Sequence, residues 1–259
     1  MALSKRQQKW SVCNTREIAT WAGDPDTVVL IPIGAIEQHG AHLPVDVDIH
    51  LAQAVCERAT ELDSKLLVAP ALPFGLSGGH REFAGTIVIG TATYLQLLDD
   101  LLSSIVGSGF RAVIVVNGHN GNSAILRQAV VDFGLRVDAS VLALTYFDHV
   151  TSMFQEHRAT AIGGAGHAGE FETSLELFLR PELVGEDPDF QYIDPAIDGM
   201  FRDITERGTV ARANRLEENY PQGVMGDPRP ASAELGKNLF EGAAQYLAEV
   251  AGQVRGTRL

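Results

Sequence analysis

A chain of 259 residues, 45% apolar and 20% charged, has the size and composition of one globular domain with a substantial core, and we read 1–259 as that domain. A net charge of −13 with no basic cluster to offset it argues against nucleic acid as a partner. Cys13 and Cys56 are too few for a disulfide framework and stand in no zinc spacing, and neither an apolar leader core nor a run of about eighteen apolar residues is present, so a cytoplasmic protein that does not enter a membrane is expected.

Residues 1–26 carry Trp10 and Trp21 in a polar setting, as one or two helices on the domain edge would, and Asp24-Pro25 ends them. Thr27 to Ile33 is β-branched and apolar on both faces, the pattern of a strand buried in a parallel sheet. It runs into Glu37-Gln38-His39-Gly40-Ala41-His42-Leu43-Pro44-Val45-Asp46-Val47-Asp48. Glu37 and His39 leave an extended chain on the same side, and Asp48 can return there after the turn that Pro44 favours. Two carboxylates and an imidazole suit a divalent first-row metal; a polar surface loop is the plainer alternative.

From Asp48 to Leu62 the apolar spacing is helical, so Asp46 or Asp48 could also serve as a cap. A short strand over Leu66–Pro70 follows, then a glycine-rich stretch from Pro73 to His80, whose glycines either bring backbone amides near a ligand or simply adopt positive φ. Phe83–Gly90 reads as extended, and Thr91–Ser108 as a helix with a core-facing leucine stripe. Arg111–Val116 is a strong strand that passes through Asn117-Gly118-His119-Asn120-Gly121-Asn122 into a helix over Ser123–Phe133. Ligands in open α/β sheets gather outside the carboxyl ends of strands, so His119 and the Glu37 run can face one crevice; a turn histidine capping the backbone is the alternative.

Ser140–Tyr146 is a further strand, followed by a loop with Asp148, His149 and His157. Beyond Gly163-Gly164-Ala165-Gly166, His167 stands at the mouth of a helix that Pro181 ends, and Glu172, a little over one turn on, can approach the same ligand. Glu170 and Glu172 also suit a helix N-terminus electrostatically. Residues 181–222 look like an excursion forming a lid or subunit contact, without chemistry of their own. A turn over Gly223–Pro228 leads to a final amphipathic helix from Ala231.

Four runs, in order and at compatible spacing, resemble the creatininase family of metal-dependent amidohydrolases: Glu37 to Pro44 with Asp48; Asn117-Gly118-His119 with Asn122; His167-Ala168-Gly169 with Glu172-Thr173-Ser174; and Gly223 to Pro228. The resemblance implies a three-layer α/β/α domain with a mainly parallel sheet, assembled as a homohexamer, with two divalent ions per chain drawn from zinc, manganese or iron. Carried onto this chain, Glu37 and His119 would hold one ion, His39 the other, and Asp48 would bridge them. Creatininases proper place a ligand glutamate where Gly121 stands, and Glu172 is the candidate to fill that vacancy; they also carry a pocket tryptophan where Gly163 stands, so creatinine is not the expected substrate.

Two ions sharing Asp48 would lower the pKa of a water between them from about 15.7 towards neutrality and supply hydroxide to a small-molecule amide or lactam carbonyl. His167 would carry the proton to the leaving nitrogen, oriented by Glu170. Relatives differ in substrate, among them creatinine, a ribosylated formamidopyrimidine, a mycofactocin-precursor peptide and a cyclic inositol-derived ketone. The alternatives are a mycofactocin-precursor-type peptidase and a non-catalytic metal-binding scaffold of the same fold. A nucleotide-binding domain would need Gly-x-Gly-x-x-Gly after the first strand, where Gly34-Ala35-Ile36-Glu37 stands instead.

Overall fold

The computed structural model describes residues 8–186, 197–206, 208–213 and 215–255. Four parallel strands form one sheet in the order β2-β1-β3-β4: β1 (Val28–Ile33), β2 (Leu66–Val68), β3 (Ala112–Asn117) and β4 (Ser140–Thr145). Every residue of β1 and β3 is buried, which is why both runs are apolar without alternation. Val28 and Leu30 point into one core and Val29, Ile31 and Ile33 into the other, as the two-residue period of a strand requires.

The first core is closed by α2 (Val47–Leu62), α5 (Thr151–His157), α6 (Glu170–Leu179) and α8 (Ala233–Val254), the second by α1 (Thr15–Ala22), α3 (Thr91–Gly107) and α4 (Ser123–Gly134); α7 (Leu216–Asn219) is a single turn. The result is the expected three-layer α/β/α arrangement. An N-terminal segment packs Trp10 on Phe110 at 5.1 Å and buries Trp21, so both tryptophans serve the second core. No described helix is long and apolar enough to cross a membrane.

Three local readings change. Phe83–Gly90 is not a strand of the sheet; it makes only the isolated bridges Ile36–Ile87 and Gly75–Val88, tying the lips of two loops. Thr151–His157, expected as loop, is α5. The strand expected to reach Pro70 ends at Val68, since proline has no N–H for the ladder.

The connections β1 to β2 and β2 to β3 place β2 and β3 on opposite sides of β1, so the crevice between the carboxyl ends of β1 and β3 is the topological switch point, where open α/β sheets bind ligands. Gly118 makes this crevice tight: a Cβ there would lie 2.1 Å from the Asp48 carbonyl oxygen, so only glycine lets the loop after β3 settle on the first turn of α2.

Candidate metal centre

Each donor comes from the end of an element. The chain leaving β1 is held by Glu37 N–H donating to Val45 O (2.8 Å) and Gln38 N–H to Thr86 Oγ1 (3.0 Å), which fixes Glu37 and His39. Asp48 is in the first turn of α2. The loop after β3 is braced by Asn117, whose Nδ2 donates to His119 O (2.7 Å) and whose Oδ1 accepts from His119 N (3.1 Å); Asn122 Nδ2 donates across to Gly34 O (3.1 Å). Glu172 lies in the first turn of α6, and its Oε2 accepts from Ala168 N at 2.6 Å. Ala168 has φ +57°, the one positive φ outside glycine among the described residues, a strained backbone beside His167 of the kind that gathers at functional sites.

These side chains converge. Glu37, His39, Asp48 and His119 are all buried, none more than 6% exposed, so the surface-loop alternative is set aside. Among the described residues, three groups of donor atoms come within 4.8 Å of one another: Glu37, Asp48 and His119; His39, Asp48 and Glu172; and Glu37, His39 and His167. Asp48 belongs to two of them, with Oδ1 3.4 Å from His39 Nε2 and Oδ2 3.0 Å from His119 Nδ1.

The hydrogen-bond network assigns the tautomers. His39 Nδ1–H donates to Glu37 O (2.9 Å), His119 Nε2–H to Leu76 O (3.4 Å), and His167 Nε2–H to Gln38 O (2.7 Å). Each ring therefore turns a bare nitrogen inward, towards carboxylates: His39 Nε2 to Asp48 and to Glu172 Oε1 (3.8 Å), His119 Nδ1 to Asp48, and His167 Nδ1 to Glu37 Oε1 (3.5 Å). In the neutral rings these lone pairs face anionic oxygens and repel them, unless a metal ion or a proton lies between. Among the described residues, Glu37 Oε2, His39 Nε2 and Asp48 Oδ2 are also buried without a hydrogen-bond partner, a costly arrangement that coordination would relieve. A ring N–H given to a backbone carbonyl with the other nitrogen free is the usual setting of a metal-bound histidine, so the residues fit divalent ions.

Without a metal ion, protons on His39 and His119 take its place between the rings and the carboxylates. Burial pushes the Glu37 carboxyl up to about 7. Burial also opposes ionisation of Asp48, but His119 and His39 outweigh it and hold its carboxyl well below the usual range. Burial works against the charge on His119, yet Glu37 and Asp48 raise it to about 9. His80 is depressed to about 3 by burial and by His119 and His39, and His167 is lowered by burial and by its neighbours His39 and His80.

Glu37, His39, Asp48, His119, Glu172 and His167, all singled out from the sequence, thus meet. Glu172, however, falls beside His39 and Asp48, so it does not take the place left at Gly121 beside His119. Glu170 does not orient His167: its carboxylate accepts from Ala159 N (2.7 Å), Thr160 N (3.0 Å) and Thr160 Oγ1, because it faces back over the loop before α6. Asp46 occupies the N-cap position of α2, but its carboxylate accepts from Arg180 instead of from a helix N–H. Three residues without an assigned role also join the site. Gln38 and His80 stand beside Glu37, and Arg212, in the excursion expected to lack chemistry, lines the cavity above the cluster with Phe201 and Ile204. That cavity measures about 390 Å³ and is otherwise walled by Phe147, Phe171 and Met225. His80 closes the glycine-rich stretch noted above, which was the one signal for it in the sequence.

A parallel α/β domain with carboxylates and imidazoles gathered at its switch point is the scaffold of a metal-binding α/β protein. The family model for creatininase, described as creatinine amidohydrolase, matches residues 12–251, and the chain belongs to the creatininase family. It is 34% identical over 220 residues to the mycofactocin precursor peptide peptidase of Mycobacterium ulcerans (82% of this chain, 79% of the relative). It is 35% identical over 178 residues to the creatinine amidohydrolase of Pseudomonas putida (62% and 68%). The crystal structure of creatinine amidohydrolase superposes with a TM-score of 0.79 at 28% identity, covering 96% of this chain and 98% of that one. Similar solved structures include a Zn–Zn form of a creatininase mutant and an Mn form of creatininase.

Proposed function

We propose that the protein is a binuclear-metal amidohydrolase that cleaves a C–N bond in an amide, lactam or formamide other than creatinine. The observation that carries this reading is the sharing of Asp48 between two donor groups, one oxygen turned to His39 and the other to His119. Glu37 and His119 would hold one ion, His39 and Glu172 the other, with zinc, manganese or iron as the metals. Such ions, when bound, supply Lewis acidity that activates water and polarises a carbonyl. The chain's own residues do the rest. His167 Nδ1, bare and facing the cluster, takes the proton as water's oxygen bonds to the carbonyl carbon, and returns it to the nitrogen as the C–N bond breaks. Phe147, Phe201, Ile204 and Met225 hold the apolar part of the substrate and thin out water around the reacting atoms. By the family resemblance a tryptophan of creatininases proper is replaced by Gly163, which favours a substrate other than creatinine. The reading includes a cytoplasmic homohexamer, as the family resemblance implies.

A second reading, cleavage of a short peptide, is favoured by the peptidase relative and by Arg212, whose guanidinium would pair with a carboxylate end. The test is metal analysis of the purified protein, then turnover of lactams, formamides and short peptides with and without added manganese or zinc. Two ions per chain and a hydrolysed amide are expected. Asp48→Ala should lose both metal and turnover, whereas His167→Ala should keep its metal and lose rate by about 10²–10⁴-fold. One ion and no turnover on any amide would favour a non-catalytic scaffold, and normal activity in Asp48→Ala would overturn the bridging role.

A further inference from the structure

Four imidazoles surround Glu37, and three of them present a bare nitrogen to the cluster. His80 is the exception, and the reason lies in Gln38. The Gln38 amide cannot be turned over: its Oε1 accepts from Gly40 N–H (2.9 Å) and its Nε2 donates to Gly223 O (2.9 Å), so the reversed amide would set oxygen against oxygen and N–H against N–H. One amide hydrogen remains, and two ring nitrogens are near it: His80 Nδ1 at 3.0 Å and His167 Nε2 at 3.1 Å. His167 Nε2 lies 2.7 Å from the backbone oxygen of Gln38, which can only accept, so that nitrogen carries its own proton and cannot accept another. The remaining amide hydrogen therefore goes to His80 Nδ1. His80 Nδ1 is bare, and the ring proton sits on Nε2.

His80 Nε2–H faces the cavity 3.3 Å from Glu37 Oε1, and among the described residues no hydrogen bond takes it up. A nitrogen that carries a proton cannot bind a metal, so His80 stands next to the candidate ligands while being barred from joining them. What it offers is a fixed, neutral N–H donor at the wall of the reaction space, its ring edge against His167 with centroids 4.5 Å apart. We propose that His80 is a catalytic residue, the N–H donor that stabilises the oxyanion of the tetrahedral intermediate, and that Gln38 is the positioning residue that fixes its tautomer. In the step concerned, water's oxygen bonds to the carbonyl carbon, the C=O π pair moves onto oxygen, and His80 Nε2–H hydrogen-bonds that oxygen without giving up its proton. A neutral imidazole suits this task, since it donates strongly yet returns unchanged. The same amide thus divides two histidines by role, with His167 holding a lone pair for the proton and His80 holding a proton for the oxyanion.

The inference deepens the amidohydrolase reading and rests on it for the reaction, but not for the tautomer. Histidine-selective ¹⁵N NMR of the zinc-loaded full chain reads the tautomers without substrate. The expected spectrum has both His80 and His167 protonated on Nε2, with the His80 signal shifting to a tautomer mixture in Gln38→Leu. On an amide that the wild type hydrolyses, His80→Ala should keep two ions per chain and an unchanged KM while kcat falls by about 10²–10³-fold. His80→Gln, whose amide N–H can occupy the same position, should recover part of that loss. Nδ1 protonation of His80, kcat of His80→Ala within twofold of wild type, or loss of an ion in that variant would each overturn the inference. A zinc-loaded wild type that turns over no amide, with the tautomers as expected, would instead overturn the amidohydrolase reading and with it the oxyanion role, leaving the tautomer assignment standing.

Discussion

At position 121 the missing side chain is a geometric requirement of the centre. A Cβ on Gly121 would sit 2.4 Å from His119 Nε2 and 2.8 Å from Leu76 O, in the path of the bond by which His119 gives its ring proton to Leu76 and frees Nδ1 for Asp48. The family resemblance implies a ligand glutamate here in creatininases proper, so Gly121→Glu is the obvious design to add a donor; the geometry predicts the reverse. The variant is expected to displace His119 and to hold fewer ions per chain than wild type, read by elemental analysis after dialysis. Two retained ions at higher affinity would show that the loop yields and that the vacancy can be refilled. The same residue shows where the sequence stops being informative. Glu37, His39, Asp48 and His119 were legible because strand parity and strand ends dictate where they point. Glu172 was legible as a donor but not as to side, since five residues of spacing say nothing about which ion an α6 side chain meets. Gln38 stays illegible in the sequence because, between two residues that share a side, it points the other way; its role comes from Gly40, Gly223 and His80, and the last two contacts are set by tertiary folding.

Two helices, α2 and α6, carry Asp48 and Glu172, and one arginine fastens them together. Arg180, just past the end of α6, gives Nη1 and Nη2 to both oxygens of Asp46 (2.9 and 2.8 Å) at the start of α2, and Nε to Glu176 Oε2 (2.9 Å). Glu176 is fully buried, and burial works against its charge; His50 and Arg180 outweigh that and hold its carboxyl below the usual range. Arg180→Met leaves a buried carboxylate with His50 as its chief partner and should cost about 3 kcal/mol of stability, read from the urea midpoint at pH 7. Because Asp46 precedes Asp48 by two residues, metal affinity should weaken in the same variant; unchanged stability and affinity would mean that the helices are held by their apolar faces alone. At this scale the sequence was most readable where periodicity was long: β1, β3, β4 and the helices α2, α3, α4, α6 and α8 all stand where their patterns placed them, to within a few residues. It failed where order is imposed from outside. Helix α5 has seven residues and little pattern, and it exists because Phe154 packs edge-on against Phe171, 5.5 Å away. The run over 83–90 has strand composition, but Ile87 is 47% exposed and the segment bridges only to loop residues.

For the molecule as a whole, the candidate centre couples metal, proton and fold. In the metal-free protein His119 keeps its proton up to about pH 9, so its charge stabilises the fold fully below its unfolded value near 6.5, and that contribution is lost as the pH rises through about 9. His39, raised by Asp48 and Glu172 against the effect of burial, acts in the same direction. Glu37, pushed up to about 7 by burial, still holds a proton where the unfolded chain has ionised, so its penalty grows from about pH 4.5 and is complete above about 7. On the acid side His42 and His80, lowered by burial to about 4 and about 3, must stay neutral while the unfolded chain takes up protons below 6.5, so stability falls there as well. A net charge of −13 adds self-repulsion that also grows with pH. The metal-free protein should therefore be most stable near pH 6.5 and lose Tm steadily towards pH 9. Divalent ions replace those protons, and their binding strengthens as protons become scarce. The difference in Tm between zinc-loaded and chelator-treated protein is thus expected to widen from pH 6.5 to 9, measured by thermal unfolding at constant ionic strength. A difference that stays constant or narrows would mean that ions and protons do not compete for His39 and His119, and that the cluster holds its charges together without metal.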